Sequence, residues 1–186
     1  MKILVIAAPR SGGRYFIKSL SETYGLEYIH EPGPKLFRNL PENACVKILT
    51  YKPYKDIKNI NLEKLILGFD KVFLLSRRDK QDHLRSLWNM WGHSHNMYKT
   101  YEWKDEYLNT TDKHRPADTT VEQVKKMIDS LESDFKILSK KLKQDVIYYE
   151  DLYYNTEKVD LQGLVFKPDL TRRLRIEDNK TVNRLL

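Results

Sequence analysis

Few folds accommodate residues 2–20, KILVIAAPRSGGRYFIKSL. Ile3-Leu4-Val5-Ile6-Ala7 is an apolar, β-branched run of the length expected for a strand buried on both faces. Pro9-Arg10-Ser11-Gly12-Gly13-Arg14 breaks the run, and Tyr15, Phe16, Ser19 and Leu20 then recur at helical spacing. A strand, a glycine turn and a helix in that order gather backbone N–H groups around one point. The positive end of the helix dipole and two guanidiniums add to them, which makes a phosphate cradle. The loop lacks the Gly-Lys-Ser/Thr ending of an ATP- or GTP-binding loop, so the phosphate lysine and the magnesium-holding hydroxyl are not where a kinase needs them. Glycines that only tighten a strand-to-helix connection would read the same way in isolation.

The rest of the chain repeats the alternation. Leu26 to His30 reads as a second strand, stopped by Glu31-Pro32-Gly33-Pro34, and Ala44 to Thr50 as a third. Asn61 to Phe69 reads as a short helix and Lys71 to Ser76 as another buried strand. Arg77-Arg78-Asp79 then caps a helix running to about Trp91. Tyr98 to Thr120 has little regular period and reads as a partly helical insertion, a candidate lid over about residues 98–120. Val121, Val124, Ile128, Leu131, Phe135, Leu138 and Leu142 form one apolar stripe at spacings of three and four, the clearest helix in the chain. Val146 to Tyr149 and Leu164 to Phe166 are further strands. Strands alternating with helices predict an α/β fold, a parallel sheet of about four to five strands with helices on both faces. Ligands of such sheets bind beyond the carboxyl ends of the strands.

Three other stretches carry candidate chemistry. Arg78 and Ser86 are spaced so that a guanidinium leaving a strand and a hydroxyl two turns into the next helix can close on one phosphate. Tyr149-Glu150-Asp151-Leu152 follows a strand, and Glu31-Pro32 follows another. Each has a plainer reading: a capped helix with a solvated basic face, acidic helix caps, and a strand-terminal acid paired with a loop arginine. His93 and His95 have no cysteine or carboxylate at ligand spacing, so no metal site is expected. Trp88, Trp91 and Trp103 read as core or lid anchors.

Taken together, Pro9-Arg10-Ser11-Gly12 after the first strand, Arg78-Asp79 with Ser86, and Tyr149-Glu150-Asp151-Leu152 resemble the sulfotransferases that use 3′-phosphoadenosine 5′-phosphosulfate (PAPS). The resemblance spans about residues 3–152 and implies the P-loop-like fold of that family. It implies that Arg10, Ser11, Gly12, Gly13, Arg14 and Tyr15 hold the 5′-phosphosulfate, and that Arg78 and Ser86 grip the 3′-phosphate. Tyr149 would lie near the adenine. The family usually follows Pro-Arg-Ser-Gly with two small hydroxyl residues. Gly13 and Arg14 stand there instead, and Arg14 would be a cationic substitute. Lys80 also replaces the proline common after Arg-Asp. Cytosolic members place a histidine two residues after a third-strand lysine; Lys47 matches the lysine, but Leu49 occupies the histidine position. The Glu-Pro spacing is that of carbohydrate-type members, so Glu31 is the expected base and Arg10 the expected stabiliser of the leaving oxygen. The implied product is 3′-phosphoadenosine 5′-phosphate (PAP), the implied acceptor a hydroxyl or amine on a small molecule or glycan, and no metal is required.

Composition enters as a boundary. The chain of 186 residues, 40% of them hydrophobic, is long enough for one domain with one core. It has no run of about 18 apolar residues to span a membrane. No signal-peptide pattern opens it, and its single cysteine, Cys45, reads as an inert core thiol, so the cytoplasm is the expected compartment. The net charge of +7 calls for an anionic partner. A nucleotide fits the motifs better than nucleic acid does, and nothing fixes an oligomeric state. The rival expectations are a non-catalytic basic nucleotide- or nucleic-acid-binding protein of the same fold, and a nucleotide kinase.

Overall fold

Ile3, Leu4, Val5 and Ala7 have no accessible surface, so the first strand lies inside the protein with both faces covered. The computed structural model describes residues 1–32, 39–49, 66–92, 121–154 and 159–166. The candidate lid at 98–120, residues 61–65 of the expected helix, His93, His95, Trp103 and the basic tail lie outside them.

Strand β1 (Lys2–Ala7) is followed by helix α1 (Gly13–Tyr24), β2 (Glu27–His30), β3 (Ala44–Leu49) and β4 (Lys71–Ser76). Helices α2 (Lys80–Gly92) and α3 (Val121–Leu142), strand β5 (Val146–Tyr148) and the short helix α4 (Tyr149–Tyr153) come next. The sheet order is β2-β3-β1-β4-β5, and all four pairings are parallel. Ala7 is level with Leu49 on one side and Leu75 on the other, so the carboxyl ends of the three central strands finish together. This is the α/β fold with a five-stranded parallel sheet that the alternation predicts.

Alternation along β1 divides the core. Ile3, Val5 and Ala7 face α1, where they meet Phe16, Ile17 and Leu20, each fully buried. Burying a side chain of that size contributes about 1.5–3 kcal/mol, enough to hold an otherwise polar helix to the sheet. Leu4 and Ile6 point the other way, into a cluster with Val46, Ile48, Leu74 and Phe135 of α3. Helix α2 packs on α3 through Leu84 and Leu87 against Val124 and Ile128. Hence β1 feeds a helix on one face of the sheet and its neighbour β4 feeds helices on the other. The crevice between their carboxyl ends is a topological switch point, where ligands of open α/β sheets bind.

Two details differ from the expected elements. Tyr149 opens α4 rather than closing β5. A strand not expected from the sequence, β6 (Val159–Leu161), pairs antiparallel with β7 (Leu164–Phe166). The turn between them is Gln162-Gly163 with φ of 56° and 81°, the positive values a two-residue hairpin needs. The hairpin adds Leu161, Leu164 and Phe166 to the core on the α1 side. Among the described residues no helix is long and apolar enough to cross a membrane.

Candidate functional site

The loop between β1 and α1 is shaped by what surrounds it. The Ala8 amide donates to Leu75 O at 2.8 Å, carrying the β1–β4 ladder one residue beyond the strand. The Ser11 amide and hydroxyl both donate back to Ala8 O, at 3.3 and 2.7 Å, closing a tight turn. Within that turn Arg10 has φ 61°, a left-handed conformation that a residue with a Cβ rarely holds. Gly12 follows at φ 76° as the N-cap of α1. A Cβ on Gly12 would stand 2.8 Å from ring carbons of Tyr149 and Tyr153, and one on Gly13 would stand 2.9 Å from Ala7 Cβ. Both glycines are there because nothing larger fits. The amino end of α1 has no side-chain cap and no acidic residue in its first turn. It therefore keeps its positive partial charge, beside Arg10 and Arg14.

From the β4 side, Asp79 Oδ1 accepts from the amides of Gln81 and Asp82 and caps α2. Arg10 Nε donates to Ser86 Oγ at 3.0 Å, a bond that crosses the switch-point crevice. Arg78 Nη2 donates to Asp151 Oδ2 at 2.7 Å, and its guanidinium lies 4.6 Å above the Tyr148 ring. Ser86 is thus paired with Arg10 rather than Arg78. Glu150 accepts from the amides of Arg78 and Asp79, at 3.0 and 3.2 Å, which ties the β4–α2 loop to α4. Tyr149 is buried, with the Arg77 guanidinium 4.3 Å above its ring and Tyr153 at 4.5 Å, and it forms the wall behind Gly12. Tyr153 closes that wall by donating to Gly12 O.

From the β2 side comes a second polar group. The Glu31 amide donates to Lys47 O at 2.9 Å, and Glu31 itself has φ 51°. Its carboxylate is ion-paired with Lys47 Nζ. Lys47 sits on the α1 face of β3, almost wholly buried, with its stem against Gly13. Burial pulls its pKa below the ordinary ammonium range, and the Arg14 and Arg10 charges pull the same way, while Glu31 opposes them. His30 Nε2 lies 3.4 Å from both Lys47 Nζ and Glu31 Oε1. Burial, with Lys47 and Arg14 beside it, lowers the His30 pKa to about 4 against the pull of Glu31. The imidazole is therefore neutral at neutral pH, and its approach to Glu31 is no ion pair there. Tyr28 stacks on His30 at 6.3 Å. A groove of about 510 Å³ runs from Tyr28 and Leu26 to Arg14, Tyr15 and Lys18.

The structure thus draws Arg10, Gly12, Gly13 and Ser86 to one crevice, whereas Ser11 is buried in the turn with its amide and hydroxyl both given to Ala8 O. Lys47, carrying Glu31 with it, borders that crevice from below Gly13. Arg78 and Tyr149 stand on its α4 side, and Arg14 and Tyr15 line the groove. Sequence reasoning missed His83. It is buried on α2, its Nε2 is 2.7 Å from Pro9 O, and only its position three residues before Ser86 hinted at a shared face. It also missed His30 and Arg77, whose roles depend on neighbours from other strands and helices. Cys45 is fully buried, and burial pushes its thiol to about 12, so it is inert as expected. Among the described residues no cluster of histidine, cysteine and carboxylate could hold a metal. Compared with protein-family models, curated proteins and solved structures, the chain matches none.

Proposed function

We propose that the chain is a PAPS-dependent sulfotransferase of P-loop-like fold, acting on a hydroxyl or amine acceptor. The observation that carries the reading is the Arg10–Ser86 hydrogen bond, which joins two motifs 76 residues apart at the switch point of the sheet. The residues suit the cofactor. The cradle has no room for a Cβ at Gly12 or Gly13, its helix end carries no acid, and Arg10, Arg14, Lys47 and Arg78 surround it with positive charge. Its acids are engaged: Glu31 by Lys47, Asp151 by Arg78, and Glu150 by two backbone amides.

PAPS would supply the sulfuryl group and leave as PAP. Arg10 and the backbone donors at the start of α1 hold the 5′ end and favour negative charge on the oxygen that departs. Arg78, turned from the exposed Asp151, and Ser86 hold the 3′-phosphate. A dianion competes well for that guanidinium because a solvent-exposed ion pair is worth little. Glu31 accepts the acceptor's proton, with Lys47 orienting its carboxylate.

A non-catalytic nucleotide-binding protein of the same fold is favoured by one observation, the direct pairing of Glu31 with Lys47, which occupies the expected base. Calorimetry without magnesium and at fixed salt tests the nucleotide half of the reading. PAP should bind at least roughly tenfold tighter than AMP, the worth of one charge-assisted hydrogen bond. Equal affinities would overturn it. Sulfuryl transfer from PAPS to a panel of phenols, amines and sugars decides between enzyme and binder.

A further inference from the structure

We propose that His83 is the positioning residue of the anion loop, its Nε2–H holding the Pro9 carbonyl so that Arg10 is fixed across the crevice. The consequence for turnover rests on the sulfotransferase reading; the clamp itself does not.

The argument starts from Arg10. A left-handed non-glycine residue is strained and persists only where its surroundings hold it. Two bonds from α2 do so. His83 Nε2 meets Pro9 O at 2.7 Å, which sets the peptide plane entering Arg10, and Ser86 Oγ accepts from the Arg10 side chain at 3.0 Å. His83 and Ser86 are three residues apart and so share a helix face. Helix α2 is a firm rail for both. Asp79 caps it, Arg77 Nη1 donates to Asp82 O, and Leu84 and Leu87 bury against α3.

A carbonyl oxygen only accepts, so His83 must carry its proton on Nε2. The ring is 2% exposed. Burial lowers its pKa to about 4; the Arg77 and Arg10 guanidiniums act with burial, while the Pro9 carbonyl and Glu150 act against it. A neutral imidazole is what the site needs. A second full charge beside Arg10 would push the guanidinium out of the place it is held in.

Two measurements test the clamp. In the unmutated protein, long-range ¹H–¹⁵N correlation spectra should show the Nε2–H tautomer of His83, unchanged from pH 8 to about pH 5. A proton on Nδ1, or titration near the ordinary value of about 6.5, overturns the proposal whatever nucleotide the protein binds. Two variants then separate positioning from space filling. His83→Leu keeps an apolar side chain and loses the donor, whereas His83→Gln keeps an N–H donor. His83→Leu should weaken PAP binding about tenfold and lower kcat by a larger factor than it raises KM, and His83→Gln should restore most of both. Leu performing as well as Gln overturns the proposal. Should His83→Leu fail to fold, the tautomer and titration in the unmutated protein decide. A wild-type protein without PAP affinity ends the sulfotransferase reading and leaves the clamp to the spectra alone.

Discussion

Arg10 and Ser86 are joined by a 3.0 Å hydrogen bond from Nε to Oγ, although neither lies on an element that pairs with the other's. The bond ties the loop after β1 to the helix after β4. If that guanidinium stabilises a leaving oxygen, Arg10→Ala should lower kcat by about 10²–10³ while changing PAP affinity far less. Steady-state kinetics and calorimetry on the same preparation give both numbers. Near-normal kcat would remove Arg10 from the mechanism.

The Arg78–Asp151 pair is exposed on both sides, at 58% and 47%, so it contributes little to stability. Its carboxylate nevertheless competes with any phosphate for Arg78. Asp151→Asn should therefore leave the melting temperature almost unchanged and tighten PAP binding about two- to threefold. Arg78→Ala should abolish the preference for PAP over AMP. Weaker PAP binding in Asp151→Asn would show that Asp151 aims Arg78 rather than competing for it.

Glu31 and Lys47 form a nearly buried ion pair, and breaking such a pair from one side costs more than removing both members. Glu31→Gln should destabilise the protein by about 3 kcal/mol. It should also deepen the depression of the Lys47 pKa, because Glu31 is the group that holds it up. The double variant Glu31→Gln/Lys47→Met should recover much of that stability. Urea unfolding of the three proteins checks it, and additive losses would mean that the two groups do not act as a pair. With stability accounted for, Glu31→Gln should still lower transfer by roughly 10²–10⁴ if Glu31 is the base.

Gly12 meets two tyrosine rings and holds φ 76°. Gly12→Ala adds both a left-handed penalty and a clash, and should cost about 2–4 kcal/mol of stability. Tyr153→Phe, which loses the hydrogen bond to Gly12 O and keeps the ring, should cost about 1 kcal/mol. Thermal melts that rank the two the other way would contradict the packing described.

His30 and His83 are both held near pKa 4 by burial, against about 6.5 in an unfolded chain. Between those values the unfolded state binds protons that the folded state refuses. Stability should therefore be fully present above about pH 6.5 and fall as pH drops toward 4. Denaturant unfolding across that range gives the profile. His83→Gln should make it shallower, and a profile unchanged by the substitution would exclude His83 as a contributor.

Much of this protein is written locally in its sequence. The buried run Ile3–Ala7, the stripe from Val124 to Leu142, the break at Gly12-Gly13 and the Asp79 cap each specify an element, because burial on one face or two leaves a period in the chain. Tyr149 was misread as a strand residue because an aromatic after Val146-Ile147-Tyr148 continues a β pattern; Arg77, Gly12 and Tyr153 claim it for α4 instead. Val159–Leu161 was missed because three residues carry too little period, although Gln162-Gly163 between two leucines was a turn signal. Periodicity records that a residue is buried, not what it is buried against. The order β2-β3-β1-β4-β5 depends on which strands pair after long crossovers, and it decides everything that meets at the crevice. Arg10 reaches Ser86, Lys47 reaches Glu31, and His83 reaches Pro9 only because parallel strands in that order end level with one another. Spacing along the chain names candidate anion-binding residues; packing selects which of them pair with one another, because partners from distant segments are brought together by burial and not by spacing.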